Sequence, residues 1–165
     1  MINFITKDIE FNFKGKNTVR KWLSNVLKER NFCAGEINVV FLSNAAMLNL
    51  NRSTLGHNYY TDIITFDYSE GMPDGKIYAD LYIGIETVLE NSKRYKQLYL
   101  NKFESELCRV MVHGILHLIG ENDLTPAQQK KMRKAENNAL ERIAEEIGNS
   151  TVKCIYKQQE NGRRK

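Results

Sequence analysis

Two histidines four residues apart, His113 and His117, lie in the segment RVMVHGILHLIGENDLTPAQQ, Arg109 to Gln129. On an α-helix that spacing puts both imidazoles on one face, about one turn apart, where they can share one ion. Gly120 follows as a residue suited to stopping the helix and turning the chain back. Asp123 comes six residues after His117. Two imidazoles and one carboxylate, with a fourth position for water, form the donor set of a catalytic zinc site, whereas structural zinc sites are closed by four protein ligands. His113, His117 and Asp123 are therefore the candidate metal ligands, for one divalent ion per chain, zinc or another divalent metal. Spacing alone leaves a second reading open. Such a pair is more often a hydrogen-bonded part of a packed helix, and GENDLTP is turn-like whatever Asp123 does. The remaining histidine, His57, reads as a loop residue.

The elements that must position these groups are legible from periodicity. Leu107, Val110, Met111, Ile115 and Leu118 surround the histidine pair, leaving a polar stripe of Glu106, Arg109, His113 and His117. The helix carrying them is expected to open at Asn101 with Glu104 in a capping box and to run to about Ile119. Thr125-Pro126 supplies an N-cap and a first-turn proline for a last long helix to about Ile147. Upstream, Ile2, Phe4 and Ile5 suggest a strand. Asn17 or Thr18 is expected to cap a helix with Val19, Trp22, Leu23, Val26 and Leu27 on one face. Glu36 to Leu42, Asp62 to Tyr68 and Ile77 to Ile85 read as strands, with a turn-rich loop at Ser69 to Lys76. Ser43 or Asn44 is expected to cap a helix containing Met47, Leu48 and Leu50 that exits near Gly56 to Asn58, and Glu86 to Leu98 has helical spacing. Strands and helices mix without strict alternation, which predicts one α+β domain: a small mixed β-sheet packed with about five helices. The domain is expected over residues 1–148, with a polar, basic C-terminal tail at 149–165.

Composition narrows the class. A chain of 165 residues with 42% hydrophobic and 27% charged residues suits one globular domain. Only 2 prolines and 10 glycines exclude collagen-like and low-complexity readings. Cys33, Cys108 and Cys154 are odd in number and widely spaced, so neither a disulfide framework nor a cysteine zinc site is expected. The start MINFITKDIEFNFKG does not have the pattern of a signal peptide, and no apolar run reaches spanning length. A cytoplasmic protein without membrane attachment is expected. The net charge of +4 is compatible with an anionic partner.

HGILHLIGEND resembles the signature of the YbeY family of bacterial endoribonucleases, HGxLHLxGxDH, in which three histidines bind zinc. His113, Gly114, Leu116, His117, Leu118 and Gly120 match. Asn122 replaces the aspartate and Asp123 stands in place of the third histidine, a substitution that keeps a competent zinc ligand. LNRSTLGHNYYTDIITF, Leu50 to Phe66, is similar to the family's LNxxYRxxxxPTDVLSF, with Leu50, Asn51, Thr61, Asp62 and Phe66 in register. ADLYIGI, Ala79 to Ile85, resembles its GDIxIs strand. The blocks cover roughly Leu48 to Ala135 in order. One departure matters: Thr54 and Leu55 occupy the places of the aromatic residue and of an arginine often considered catalytic. Arg52, His57 and Arg109 are candidates to supply phosphate stabilisation in its stead, although Arg109 also suits an ion pair with Glu106.

The resemblance implies a zincin-like metal helix and a zinc-dependent endoribonuclease of single-stranded RNA. It implies a role in ribosomal RNA processing at the 3′ end of small-subunit rRNA and in ribosome quality control, with the small ribosomal subunit and its assembly factors as partners. A metal-bound water would be the nucleophile. Gly114 stands where zinc peptidases of the HExxH type carry their general base, and either gives RNA room near the ion or lets the helix pack closely. The tail KCIYKQQENGRRK and Lys130, Lys131, Arg133 and Lys134 are candidate RNA-backbone contacts. Two other classes stay open: a zincin-type metallopeptidase, and a non-catalytic assembly factor whose metal holds the fold.

Overall fold

The computed structural model describes residues 1–94, 100–147 and 151–158. In chain order the elements are β1 (Ile2–Thr6), β2 (Phe11–Lys14), α1 (Lys16–Glu29), β3 (Ala34–Leu42), α2 (Asn44–Leu55), β4 (Ile63–Asp67), β5 (Ile77–Gly84), α3 (Ile85–Ser92), α4 (Lys102–Leu118), α5 (Pro126–Ile147) and β6 (Lys153–Tyr156). The main sheet has the order β1-β3-β5-β4. β1, β3 and β5 run parallel, and β4 pairs antiparallel with β5. Among the described residues this is the expected mixed sheet with five helices.

Helix α4 lies in the core. Leu107, Cys108, Met111, Val112 and Ile115 are fully buried, packed with α1 residues Leu23 and Leu27 and with sheet residues Leu81 and Ile83. Each such side chain contributes about 1.5–3 kcal/mol on leaving water. The expected apolar face of α1 is buried as read, and Trp22 also donates its indole N–H to the carbonyl of Ala139 on α5 at 2.7 Å.

Several local expectations change. Helix α1 starts at Lys16, with Gly15 at the N-cap and no side-chain cap bond, so Asn17 and Thr18 lie inside it. Asn101 is the N-cap of α4, but the capping box does not form. Glu104 instead turns its carboxylate to accept the backbone N–H of Cys154 at 2.8 Å, a tertiary bond that outcompetes the local one. Ser43 does cap α2, accepting from the Ala46 N–H at 3.1 Å. Thr125 and Gln128 cap α5 reciprocally, with N–H to oxygen distances of 3.2 and 3.1 Å. Helix α3 ends at Ser92, and residues 95–98 of that expected helix lie outside the described residues.

The sequence reading places no strand at β2 or β6. These pair antiparallel as a two-stranded sheet, from Phe11 opposite Tyr156 to Lys14 opposite Lys153. Part of the segment expected as a tail is thus an ordered strand. Phe11 and Phe13 turn inward while Asn12 and Lys14 face out, an alternation present in the sequence.

Candidate metal centre

The end of α4 and the loop after it build the site. Gly120 adopts φ +98°, which frees two backbone donors to close the helix. Its own N–H reaches the His117 carbonyl at 3.1 Å, and the Glu121 N–H reaches the Leu116 carbonyl at 3.0 Å. This is the pattern of a Schellman stop. It reverses the chain one turn after His117 and returns Asp123 to the histidine face. The loop is tied down on both sides. Glu121 accepts from Arg30, the C-cap of α1, at 2.7 Å and lies 3.3 Å from Lys131 on α5. The Arg30 bond, with Lys131, holds the Glu121 carboxyl below its usual range against the opposing effect of burial.

The three expected residues converge. His113 Nε2 and His117 Nε2 are 3.0 Å apart, with ring planes at 87°. Asp123 Oδ2 lies 3.6 Å from the first and 3.4 Å from the second. Among the described residues, this is the one group of three or more His, Cys, Asp or Glu side chains whose ligand atoms lie within 4.8 Å of one another. A tetrahedral ion with ligands at about 2.0–2.2 Å separates them by roughly 3.3–3.6 Å. Both distances to Asp123 fall in that range and the two imidazole nitrogens lie somewhat closer, so the cluster is capable of coordinating a metal ion after a small adjustment of the rings. The side chains are 23%, 31% and 35% exposed, so the face away from α4 is open to solvent.

A second observation points the same way. Among the described residues, three buried side-chain polar atoms have no hydrogen-bond partner: Asn51 Oδ1, His113 Nδ1 and Glu136 Oε2. All three belong to residues lining two hollows on either side of His113. One, of about 340 Å³, is bounded by α2, the following loop and β4, and takes in Asn51, His113 and His117. The other, of about 230 Å³, lies against α5 and takes in His113, Asp123 and Glu136. Buried polar atoms are rarely left unpaired, and a cluster of them is a feature of ligand sites.

Glu136 is absent from the sequence reading. It sits on α5 among the buried residues Met132, Ala139, Leu140 and Ile143 and is itself 2% exposed. A carboxylate inside an apolar helical stripe was the signal that could have found it. Its Oε2 faces His113 Nδ1 at 3.8 Å, while Oε1 accepts from Arg109 at 3.2 Å. Arg109 also binds Glu106 through Nε at 2.9 Å and through a second guanidinium nitrogen. Burial pushes the Glu106 carboxyl above the ordinary range, although Arg109 acts to lower it. The expected Arg109–Glu106 pair is present, and a second carboxylate shares the charge.

The other candidates separate. His57 lines the larger hollow together with His113 and His117. Arg52 does not line it; its Nε donates to Asn58 in the exposed loop. Lys130, Lys131, Arg133 and Lys134 are exposed along α5, and Arg133 borders the smaller hollow. Of the expected basic tail, residues 149–150 and 159–165 lie outside the described residues.

Gly114 has a packing explanation. A Cβ there would meet Leu81 Cδ2 at 2.2 Å and Ile63 Cδ1 at 2.8 Å. The bare backbone faces the sheet and lets α4 approach β5 and β4 closely. Room for RNA is not what this glycine supplies.

The fold and the convergent triad define an α+β protein with a two-histidine, one-carboxylate centre at the end of a buried helix. The family model described as "Endoribonuclease YbeY" matches residues 1–144, and the chain belongs to this family. It is 40% identical over 144 residues to the Endoribonuclease YbeY of Phocaeicola vulgatus, covering 87% of this chain and 99% of that one. It is 42% identical over 140 residues to that of Azobacteroides pseudotrichonymphae, covering 85% and 96%. The solution structure of TM1509 from Thermotoga maritima is similar with a TM-score of 0.61 at 25% identity, over 90% of this chain and 93% of that one.

Proposed function

We propose that this protein is a zinc-dependent endoribonuclease of single-stranded RNA. It acts in ribosomal RNA processing, at the 3′ end of small-subunit rRNA, and in ribosome quality control. The observation that carries the reading is the convergence of His113 Nε2, His117 Nε2 and Asp123 Oδ2 at 3.0 to 3.6 Å, in a chain of the YbeY endoribonuclease family. Residues 1–148 form the metallohydrolase domain in this reading, with α4 serving as a zincin-like metal helix and β6 added by the segment that follows.

His113, His117 and Asp123 would hold the ion. When bound, zinc supplies a Lewis acid that brings deprotonation of water toward neutral pH and offsets charge on phosphoryl oxygens. The chain does the rest. Glu136 faces the outer nitrogen of His113 at 3.8 Å and is the carboxylate on hand to orient its ring. Arg109 is engaged by two carboxylates, which leaves it a weak phosphate partner. Arg52 is drawn to Asn58, and of the three candidates His57 is the one that lines the larger hollow with both histidines. The exposed basic residues of α5 suit contacts with the RNA backbone. Cytoplasmic partners, the small ribosomal subunit and its assembly factors, follow from the same reading. No helix among the described residues is long and apolar enough to cross a membrane.

The metallopeptidase reading is disfavoured by Gly114, because the packing of Leu81 and Ile63 leaves no room for a glutamate side chain at that position. The test is cleavage of single-stranded RNA and of casein by the purified chain, with and without chelator. Chelator-sensitive RNA cleavage with intact casein is expected. Casein cleavage would favour the peptidase. Failure to cut either, with metal removal lowering the melting temperature, would favour the non-catalytic assembly factor.

A further inference from the structure

The hollow of about 340 Å³ that His113 and His117 line is bounded on another side by Leu55, His57 and Tyr59. These three are exposed, Leu55 at 48% and Tyr59 at 57%. Large apolar groups left in water beside a candidate catalytic centre are typical of a contact surface for a ligand. The His57 and Tyr59 rings pack with centroids 5.1 Å apart and planes only 21° apart. The Tyr59 hydroxyl and His57 Nδ1 are 2.9 Å apart, in hydrogen-bond contact. The two rings therefore stack on each other at the rim of the hollow, and the outer face of that stack is a surface that a further flat ring can extend.

Asn51 holds that surface in place. It is 1% exposed at the end of α2. Its carbonyl accepts the His57 N–H at 3.2 Å, and its Nδ2 donates to the Tyr59 carbonyl at 2.9 Å. Both ring-bearing residues are thus fastened to the helix through their backbone. Among the described residues Asn51 Oδ1 has no hydrogen-bond partner, an independent sign that this wall of the hollow meets a ligand.

Charge decides which part of a nucleic acid fits. Among the described residues no lysine or arginine lines this hollow, and Asp62 adds a carboxylate. A phosphate would meet no cation on that wall. The π-face of a base needs none. We propose that His57 and Tyr59 form a nucleobase seat, which stacks one unpaired base of the RNA strand beside the His113–His117–Asp123 triad. In a duplex each base is already stacked and paired, so the seat selects single-stranded substrate. This rests on the endoribonuclease reading and names how that site takes its substrate.

The test titrates a short single-stranded RNA carrying 2-aminopurine with the full chain, reading fluorescence quenching before cleavage accumulates. Tyr59→Ala and His57→Ala are expected to weaken binding, Tyr59→Ala by about 5- to 100-fold, the range for losing one base–aromatic stack. Quenching should fall with it, while the dependence of binding on salt keeps its slope, because stacking displaces no counterions. Tyr59→Phe, which keeps the ring, should restore most of the loss. Tyr68→Ala, a tyrosine of similar exposure that does not line the hollow, should bind as wild type. If wild type binds and cuts RNA but Tyr59→Ala keeps full affinity and quenching, or loses affinity only together with its melting temperature, the seat is overturned and the endoribonuclease reading stands. If wild type neither binds nor cuts single-stranded RNA, the endoribonuclease reading falls and the seat with it.

Discussion

Nδ1 of His113 and Oε2 of Glu136 face each other at 3.8 Å across the α4–α5 contact, both buried and both without a hydrogen-bond partner among the described residues. The gap is too long for a hydrogen bond and too short to be incidental for two buried polar atoms. A histidine that binds metal through Nε2 carries its proton on Nδ1, which then needs an acceptor. Glu136, held by Arg109 from its other oxygen, is the carboxylate that faces it. Glu136→Gln is expected to lower metal affinity by about 10- to 100-fold. Competition against a chromophoric chelator measures this directly, and unchanged affinity would remove Glu136 from the site.

Gly114→Ala tests the approach of α4 to the sheet. The added methyl would overlap the side-chain methyls of Leu81, which is fully buried, and of Ile63, so something must shift. The helix must lift or the core rearrange, at a cost of about 1–3 kcal/mol. Denaturant unfolding should show that loss. Since the same helix carries both histidines, metal affinity should fall as well. A variant as stable as wild type would mean that the sheet face of α4 is looser than its packing indicates.

Asp123 is the position where the family resemblance leads one to expect a histidine. Asp123→Ala should take metal content from about one ion per chain toward none, whereas Asp123→His should retain it. Elemental analysis after gel filtration separates the two outcomes. In the wild type, chelation should lower the melting temperature by roughly 5–10 °C when the ion had been present at about a hundred times its Kd. Asp123→Ala should melt at the same temperature with or without chelator.

The cysteines provide a check on the packing that is independent of metal. Cys108 is buried in α4 and Cys154 is half-buried in β6; burial, reinforced by the nearby Glu104 carboxylate, pushes both thiols far above their ordinary range. Cys33 is exposed. The thiolate is the reactive form, so a disulfide reagent at neutral pH should modify Cys33 alone in the native chain and all three cysteines after denaturation. Rapid modification of Cys154 in the native state would show that the β2–β6 ladder opens readily.

The parts of the site legible in the sequence are those governed by short-range geometry. The helical repeat alone places His113 and His117 together, and the glycine stop alone allows Asp123 to return. Alternation and capping residues place β3, β4, β5 and the start of α5 within a residue or two. What failed involved competition from afar. Glu104 has the spacing of a capping residue, yet it bonds to Cys154, fifty residues away. β2 and β6 are four residues each, too short for periodicity to identify strongly, and their pairing joins opposite ends of the chain.

The sequence by itself determined the pair of imidazoles, the carboxylate that follows them and the α+β class, because each depends on residue type and local period. Tertiary structure decided the rest. Only packing brings Glu136 from α5 to the outer nitrogen of His113, engages Arg109 with two carboxylates, and makes Gly114 a contact with Leu81 rather than an opening toward substrate. It also brings the His57–Tyr59 rings to the hollow that holds the histidines. These relations join residues far apart in sequence, and no local pattern encodes which of them will meet once the core closes.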